Sequence, residues 1–539
     1  MRLKSQPQLS TKYKQKKRRK LPRIVAFFIF CVLLFFLGAI LHEEGVLGIG
    51  LKNYVKGNVK IPVNYYNSFF VAEEDMSLNI SHEDYQMLAY CREKALEDGY
   101  MSDSNKVYVP ALLVYKGEES VVKLRLKGYW PDHWEDDKKW SFRVKVKGNN
   151  NVMGLKSFAL QHPQTRNYLY EWFAQKLYDD NGILSVRYHF VRLKVNGDDY
   201  GIYAIEENFE KQIIESNNRR EGPVMRFSGE YYGTKDHYVE HYGSAVELDP
   251  KYQRATHLLE SFRIGKLPAH QVFDVKLMAR YFALADLLYA THATASHNVR
   301  FYYNPITSLL EPVAYDAEIL MHEYLKRPGM IGEHLFHREQ EDIEKINFIS
   351  SEFYHILLFN DPVFFKAYVS ELEKIAGSNI LEEFFDKYRK EIDRKLNIIH
   401  QTYPVYLFEE TFFYDRLTLI RDRLNMRDDL HAYVDSENEE WILEVQSNSS
   451  WPIEIVSWTY DEELHMLDEP YLIDSKLPNN TEKDLHQISI GKYDDINNLK
   501  KGTKHIKVKY RILGAKKIKE FDSQNYRYEN VSQSASTHK

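Results

Sequence analysis

The sequence predicts an α+β protein in which an antiparallel β-rich lobe is followed by a helical lobe, with an N-terminal transmembrane helix before them and a small C-terminal β-sandwich after them. Three observations predict it. Apolar and charged residues alternate with period two through 107–146 and again through 187–208. Helical periodicity takes over from Asp274, and strand-like runs return after Val434.

The N-terminus comes first. Residues 1–23 hold ten basic side chains and no acidic one, and residues 24–41, IVAFFIFCVLLFFLGAIL, hold no charge at all. Eighteen residues at the helical rise reach about 27 Å, close to the roughly 30 Å of bilayer hydrocarbon. A cleaved signal peptide is the competing reading, but the run exceeds a usual signal core, and His42, Glu43 and Glu44 stand where small residues should mark cleavage. The expectation is one uncleaved span, N-terminus cytoplasmic and body extracytoplasmic, because the cations precede the span and the acids follow it. Taking away the tail's ten cations from the formal −6 leaves −16 for the rest, which argues against nucleic acid as a partner. Of the two cysteines, Cys31 falls in the span, so Cys91 has no thiol in the body to pair with.

A stalk over 42–70 leads to a short strand and then a helix opened by Ser81, within Asp75 to Glu97. VYVPALLVY, VVKLRLKGYW and WSFRVKVKG make three antiparallel strands. On the third, Trp140, Phe142, Val144 and Val146 face one side, and Arg143, Lys145 and Lys147 the other. Lys145 and Lys147 read most simply as a solvated face. A helix follows over Gln164 to Asp179, then two strands joined through Asn196-Gly197, both tolerant of positive φ. Asp274 caps an apolar helix, with further helices at 338–360, 361–377, 379–401 and 408–432. EWILEVQ, PIEIVSW, HQISI and HIKVKYRI then suggest the sandwich. The predicted boundaries are a tail over 1–23, an anchor over 24–41, a stalk over 42–70, a β-rich lobe over 71–210, a helical lobe over 211–434, a β-sandwich over 435–520 and a loose end over 521–539.

A β lobe with one inserted helix, followed by a helical lobe, is the arrangement of protein-kinase-like folds, though topology alone assigns no chemistry. The segment over 290–319 offers some. A hairpin formed by RFYYN and LEPVAYDAE brings Asn298 and Asp316 to neighbouring ends, and an amide oxygen beside a carboxylate suits Mg²⁺. Asp316 can equally cap a turn, and His292 and His297 can be ordinary loop histidines.

Here the chain resembles the spore coat protein H (CotH) kinase-like family over about residues 75–430. The motifs are Leu124-Arg125-Leu126-Lys127-Gly128 followed by Trp134, Lys138-Lys139 before Phe142-Arg143, Tyr200-Gly201-Ile202-Tyr203 leading to Glu207, and Asn298-Val299-Arg300-Phe301-Tyr302 followed by Tyr315-Asp316-Ala317-Glu318. The resemblance implies a kinase-like fold that binds ATP with Mg²⁺ or Mn²⁺ and phosphorylates a protein substrate at the envelope. By position it implies Asp316 and Asn298 as metal ligands, Lys139 or Arg143 as the phosphate-contacting cation, and Lys127 as a further nucleotide-binding residue. It implies Glu171 as partner of Lys139 or Arg143, Glu207 at the end of the strand leading to the hinge, and Gly128 to Asp137 as the phosphate loop. One departure stands out. Kinase catalytic loops place an Asp five residues before the metal-binding Asn. In this chain that place is Ala293; the nearest substitutes are His292 and, farther back on the buried helix, Asp286, and Ala293→Asp is the change expected to test for a gain of activity. Two alternatives follow: a pseudokinase serving as an envelope or coat assembly factor, and a carbohydrate or cell-wall binding protein using Trp130, Trp134 and Trp140.

Overall fold

The computed structural model describes residues 28–34, 60–228, 238–242, 249–319, 329–337, 353–425, 429–437, 440–460, 463–476, 485–492 and 506–525. The chain divides into two compact units, residues 1–72 with 397–407 and residues 73–396 with 408–539.

In the first unit, Asn64 Nδ2 in a helix over 60–68 donates to Pro404 O at 3.1 Å, and Gln401 Nε2 donates to Val71 O at 2.8 Å. Of the predicted span, residues 28–34 are helical and exposed, and the remainder lies outside the described residues. Among the described residues no helix is long and apolar enough to cross a membrane.

The second unit opens with β1 (Asp75–Asn79) and α1 (His82–Asp98), whose N-cap Ser81 accepts from Asp84 N as its sequence predicts. Then come β2 (Val109–Tyr115), β3 (Glu118–Leu126), β4 (Phe142–Val146), β5 (Ser157–Gln161), α2 (Leu169–Asp180), β6 (Leu184–Ser185), β7 (Tyr188–Val195) and β8 (Asp198–Glu207). The predicted strand pair across Asn196-Gly197 is β7–β8, and both turn residues have positive φ, 50° and 92°. Seven of these strands close into a barrel in the order β1-β2-β3-β4-β5-β8-β7, sealed by the parallel pair β1–β7. Val122, Leu124 and Leu126 of β3 and Phe142, Val144 and Val146 of β4 point into its core, and Leu88, Cys91 and Ala95 of α1 pack there as well.

Three features depart from expectation. The antiparallel β-rich lobe closes into a barrel, because β1 pairs with β7 more than a hundred residues away. Strand β5 escapes the period-two pattern because all five of its residues are buried. The predicted helix from Gln164 also starts later: Pro163–Arg166 form a 3₁₀ turn, and Asn167 and Tyr168 take positive φ before Leu169.

After α3 (Lys211–Ser216) come β9 (Val224–Ser228), β10 (Tyr238–His241), α4 (Pro250–Arg263), α5 (Ala269–Val272) and α6 (Val275–Leu288), the last capped by Asp274 as expected. The hairpin of β11 (Arg300–Asn304) and β12 (Leu309–Ala314) joins a sheet ordered β10-β9-β11-β12-β6. Helices α7 (Phe353–Phe359), α8 (Pro362–Gly377), α9 (Ile380–His400) and α10 (Thr411–Leu424) follow. The part of the predicted 338–360 helix before Phe353 lies outside the described residues.

The C-terminal strands β13 (Leu430–Glu437), β14 (Glu440–Ser447), β15 (Ile453–Tyr460), β16 (Glu463–Ile473), β17 (His486–Lys492), β18 (Lys507–Ile512), β19 (Lys519–Asp522) and β20 (Gln524–Asn525) form two four-stranded sheets, β17-β14-β13-β20 and β16-β15-β18-β19. Leu443, Val445 and Ile488 of the first share one core with Ile453, Ile455 and Tyr510 of the second. These sheets seat on α8. Gly514 has φ +89°, and a Cβ there would come within 2.5 Å of Lys366 Cα, so only glycine allows the approach.

Candidate active site

The site forms where the chain leaves β12. Asp316, two residues past the strand, has φ +57°, a left-handed conformation that a short polar side chain tolerates, and its carboxylate is buried. Opposite it the turn after α6 carries His292. That turn is pinned from behind: Tyr281 Oη donates to Ala293 O at 2.9 Å, while Tyr354 Oη and His355 Nε2 both bond Thr294 O.

His292 Nδ1 lies 3.3 Å from Asp316 Oδ1 and 3.0 Å from Glu318 Oε2. Burial opposes charge on the ring, yet the two carboxylates push its pKa up to about 10, so it stands between them as an imidazolium. Asn298 Nδ2 lies 3.0 Å from His292 Nε2 and donates to His292 O at 3.1 Å. Glu171 of α2 accepts from Ala317 N at 2.9 Å through one oxygen and from Gln175 Nε2 at 2.8 Å through the other. Burial raises the Glu171 carboxyl to about 7.

The barrel supplies the other wall. Lys127, just past β3, is buried, bonds Gln161 Oε1 and pairs with Glu206 Oε2 of β8 at 2.8 Å. Its pKa falls to about 8, because burial outweighs the attraction of Glu206. Arg166 joins the two walls, with Nη2 at 2.9 Å from Asp316 Oδ2 and Nε at 3.5 Å from Glu206 Oε1. Although buried, Asp316 is held well below the usual carboxylate range by Arg166 and His292. The loop from Gly128 folds over this wall. A Cβ on Gly128 would lie 2.1 Å from His133 Cδ2, and φ of +97° further demands glycine. His133 Nδ1 meets Ser141 Oγ at 3.1 Å, and neighbouring Asp132 lies within the electrostatic reach of Arg166, Glu318 and Asp316.

A buried carboxylate in a left-handed turn, an asparagine just past the short turn that follows α6, and a lysine–glutamate pair on the barrel share one site, and the family model of the CotH kinase protein matches residues 124–427, more than half of the chain. The chain belongs to the CotH family. No curated protein matches it.

As a CotH-family chain it is a kinase-like protein, and its predicted site residues divide into two groups. Lys127, Glu171, His292, Asn298 and Asp316 come together as described. Arg143 is half-buried on β4, near enough for its charge to act on Lys127 and Tyr315. Lys139 and Glu207 lie elsewhere. Lys139 precedes β4 in a bend held by Asp136 Oδ1, which breaks the strand alternation, and its Nζ bonds Tyr200 O beside the Tyr203 ring. Glu207 points to the other face of β8 from Glu206 and forms a 2.6 Å pair with Arg187. Glu171 is not hydrogen-bonded to Lys139 or Arg143; it holds the backbone beside Asp316 instead. Sequence reasoning missed Arg166 and Glu206. The alternation of β8 could have offered Glu206, because Ala204 and Glu206 share a face, whereas nothing local marks Arg166.

The CotH site also fits a divalent cation. Donor atoms of His292, Asp316 and Glu318 all lie within 4.8 Å of one another. Once His292 gives up its proton, two carboxylates and an imidazole make a mixed oxygen–nitrogen set, closer to the preference of Mn²⁺ than to the all-oxygen shell of Mg²⁺.

Proposed function

We propose that this CotH-family protein binds ATP with a divalent metal and transfers phosphate to protein at the cell envelope. The observation that carries the reading is the Arg166–Asp316–His292–Glu318 cluster facing the buried Lys127–Glu206 pair. Asp316 and Glu318 would hold the metal, with Asn298 joining once its amide oxygen turns inward. When bound, the metal would neutralise phosphate charge. Lys127 and Arg166 would orient the phosphate oxygens, and Arg143 would meet the nucleotide from β4. The loop over Gly128 to Asp137 would cover the phosphates and exclude water.

A second reading, an assembly factor that binds nucleotide without transferring phosphate, is favoured by Ala293. No carboxylate stands at that position, and His292 is engaged as a cation, not as a free base. Trp134 and Trp140 are buried, so of the three tryptophans considered for sugar stacking only Trp130 is exposed, which weakens the carbohydrate reading.

The deciding experiment measures ATP binding by full-length protein in detergent with Mn²⁺ or Mg²⁺, then transfer of radiolabelled phosphate. Binding that disappears in Asp316→Ala supports the site, and transfer distinguishes kinase from pseudokinase. No binding with either metal overturns both. The apolar run over 24–41 further supports a single-pass membrane protein with its body outside, and protease added to intact protoplasts should then digest the body.

A further inference from the structure

Strands β3 and β4 continue past the site as a row of cations. Lys123 and Arg125 on β3, Lys127 just beyond it, Arg143 and Lys145 on β4 and Lys147 at its end occupy alternate positions, and so share the face turned away from the barrel core. The register sets Arg125 directly opposite Arg143, and Lys123 directly opposite Lys145. Like charges so placed destabilise a sheet, in a chain whose net charge is −6. Lys127 has Glu206. Among the described residues, no ion pair joins Lys123, Arg125, Arg143, Lys145 or Lys147 to a carboxylate. The acid nearest in charge to Arg125, Asp103, already pairs with Lys106 at 2.6 Å. Lys123, Arg125 and Lys145 instead crowd one phenol, 5.1, 5.5 and 5.8 Å from the centroid of Tyr108.

The row has a direction. It starts at buried Lys127 in the site, passes four half-buried cations, and ends at exposed Lys147, level with exposed Val121. At about 3.4 Å per residue it runs roughly 20 Å. The triphosphate proposed beside Asp316 would use only Lys127 and Arg143, at the end of the row nearest the site, and leaves Lys123, Arg125, Lys145 and Lys147. Side chains two apart on an extended polypeptide repeat at about 6.8 Å, the same period as the row.

We propose that this face of β3 and β4 is the docking track for an acidic or phosphorylated polypeptide segment, lying extended along the strands with one end at the Asp316 site. That this segment is the acceptor rests on the phosphotransferase reading; that it binds does not.

The test uses full-length protein in detergent and a fluorescently labelled peptide of alternating Glu and Ser, followed by anisotropy, with ATP binding measured in parallel. Lys123→Glu with Lys145→Glu should weaken peptide binding about tenfold or more, and added salt should weaken it in the parent. Lys123→Gln with Lys145→Gln should give an intermediate loss, and both double variants should bind ATP as the parent does. Peptide binding that is absent, or unchanged by the glutamate pair, overturns the proposal. ATP affinity falling in step assigns the face to the nucleotide and overturns it too, as does tighter binding of an oligonucleotide or a polyphosphate polymer of equal charge. If the protein binds peptide through these lysines but no ATP, the track stands and the phosphotransferase reading fails.

Discussion

Arg166 Nη2 lies 2.9 Å from Asp316 Oδ2 with both side chains buried, so one arginine from the turn before α2 fixes the carboxylate that follows β12. The same guanidinium faces Glu206 on the barrel. Removing it leaves Asp316 with His292 and Glu206 with Lys127 but takes the bridging cation from both, and breaking a buried pair costs up to about 3–5 kcal/mol. Arg166→Ala should therefore lower the urea midpoint markedly, and Arg166→Lys should recover only part, since an ammonium cannot span both acids. An unchanged midpoint in Arg166→Ala would count against this account of the cluster.

The depressed pKa of Asp316 sets a sign. Its folded value lies below its unfolded one, so its contribution is complete above roughly pH 4 and is lost as pH falls toward the folded value. Asp316→Asn should flatten the acid limb of a stability–pH curve, and because Asp316 is the main group holding the His292 imidazolium, it should also reduce the slope near pH 8.

His292 titrates in the opposite sense. Its folded pKa of about 10 exceeds the unfolded value, so its contribution is present below about pH 6.5 and is lost as pH rises through the folded value. A divalent cation between Asp316 and Glu318 competes with that proton. Calorimetry of Mn²⁺ binding in buffers of different ionisation enthalpy should show about one proton released per metal. Release should vanish in His292→Gln.

Ala293 reverses an expectation. Its side chain is fully buried and its carbonyl is held by Tyr281. Ala293→Asp would place a carboxylate in a packed turn without a cation, so it should destabilise the protein by several kcal/mol, on the order of a buried unpaired charge, with no gain in phosphotransfer. A folded, faster variant would restore the loop reading drawn from sequence.

Asp286 gives a second pH signature. Burial raises its carboxyl to about 7, although Tyr368 Oη donates to it at 2.5 Å and Ile331 N at 2.8 Å. The folded state then binds more protons than the unfolded one between about pH 4 and 7, so stability falls with rising pH across that window. Asp286→Asn should remove that part of the slope in urea titrations at pH 5 and pH 7.5.

Sequence alone determined the elements whose signal is local. The alternation of Val122, Leu124 and Leu126 with Lys123 and Arg125, the Asn196-Gly197 turn, the caps at Ser81 and Asp274 and the motif around Asp316 each depend on a few neighbouring residues, which physical chemistry reads directly. Tertiary structure decided what depends on distant partners. Strand β5 carries no pattern because both faces are covered, and the barrel closes only through pairing of β1 with β7. Glu206, not Glu207, faces the site because the pleat of β8 turns it there. Arg166 acquires its role only when the turn before α2 meets the hairpin 150 residues later, and Lys139 loses the expected one because a bend interrupts its strand. A sequence names groups able to carry charge. Which of them share a buried volume, and so shift one another's protons, is settled by the packing that excludes water from between them.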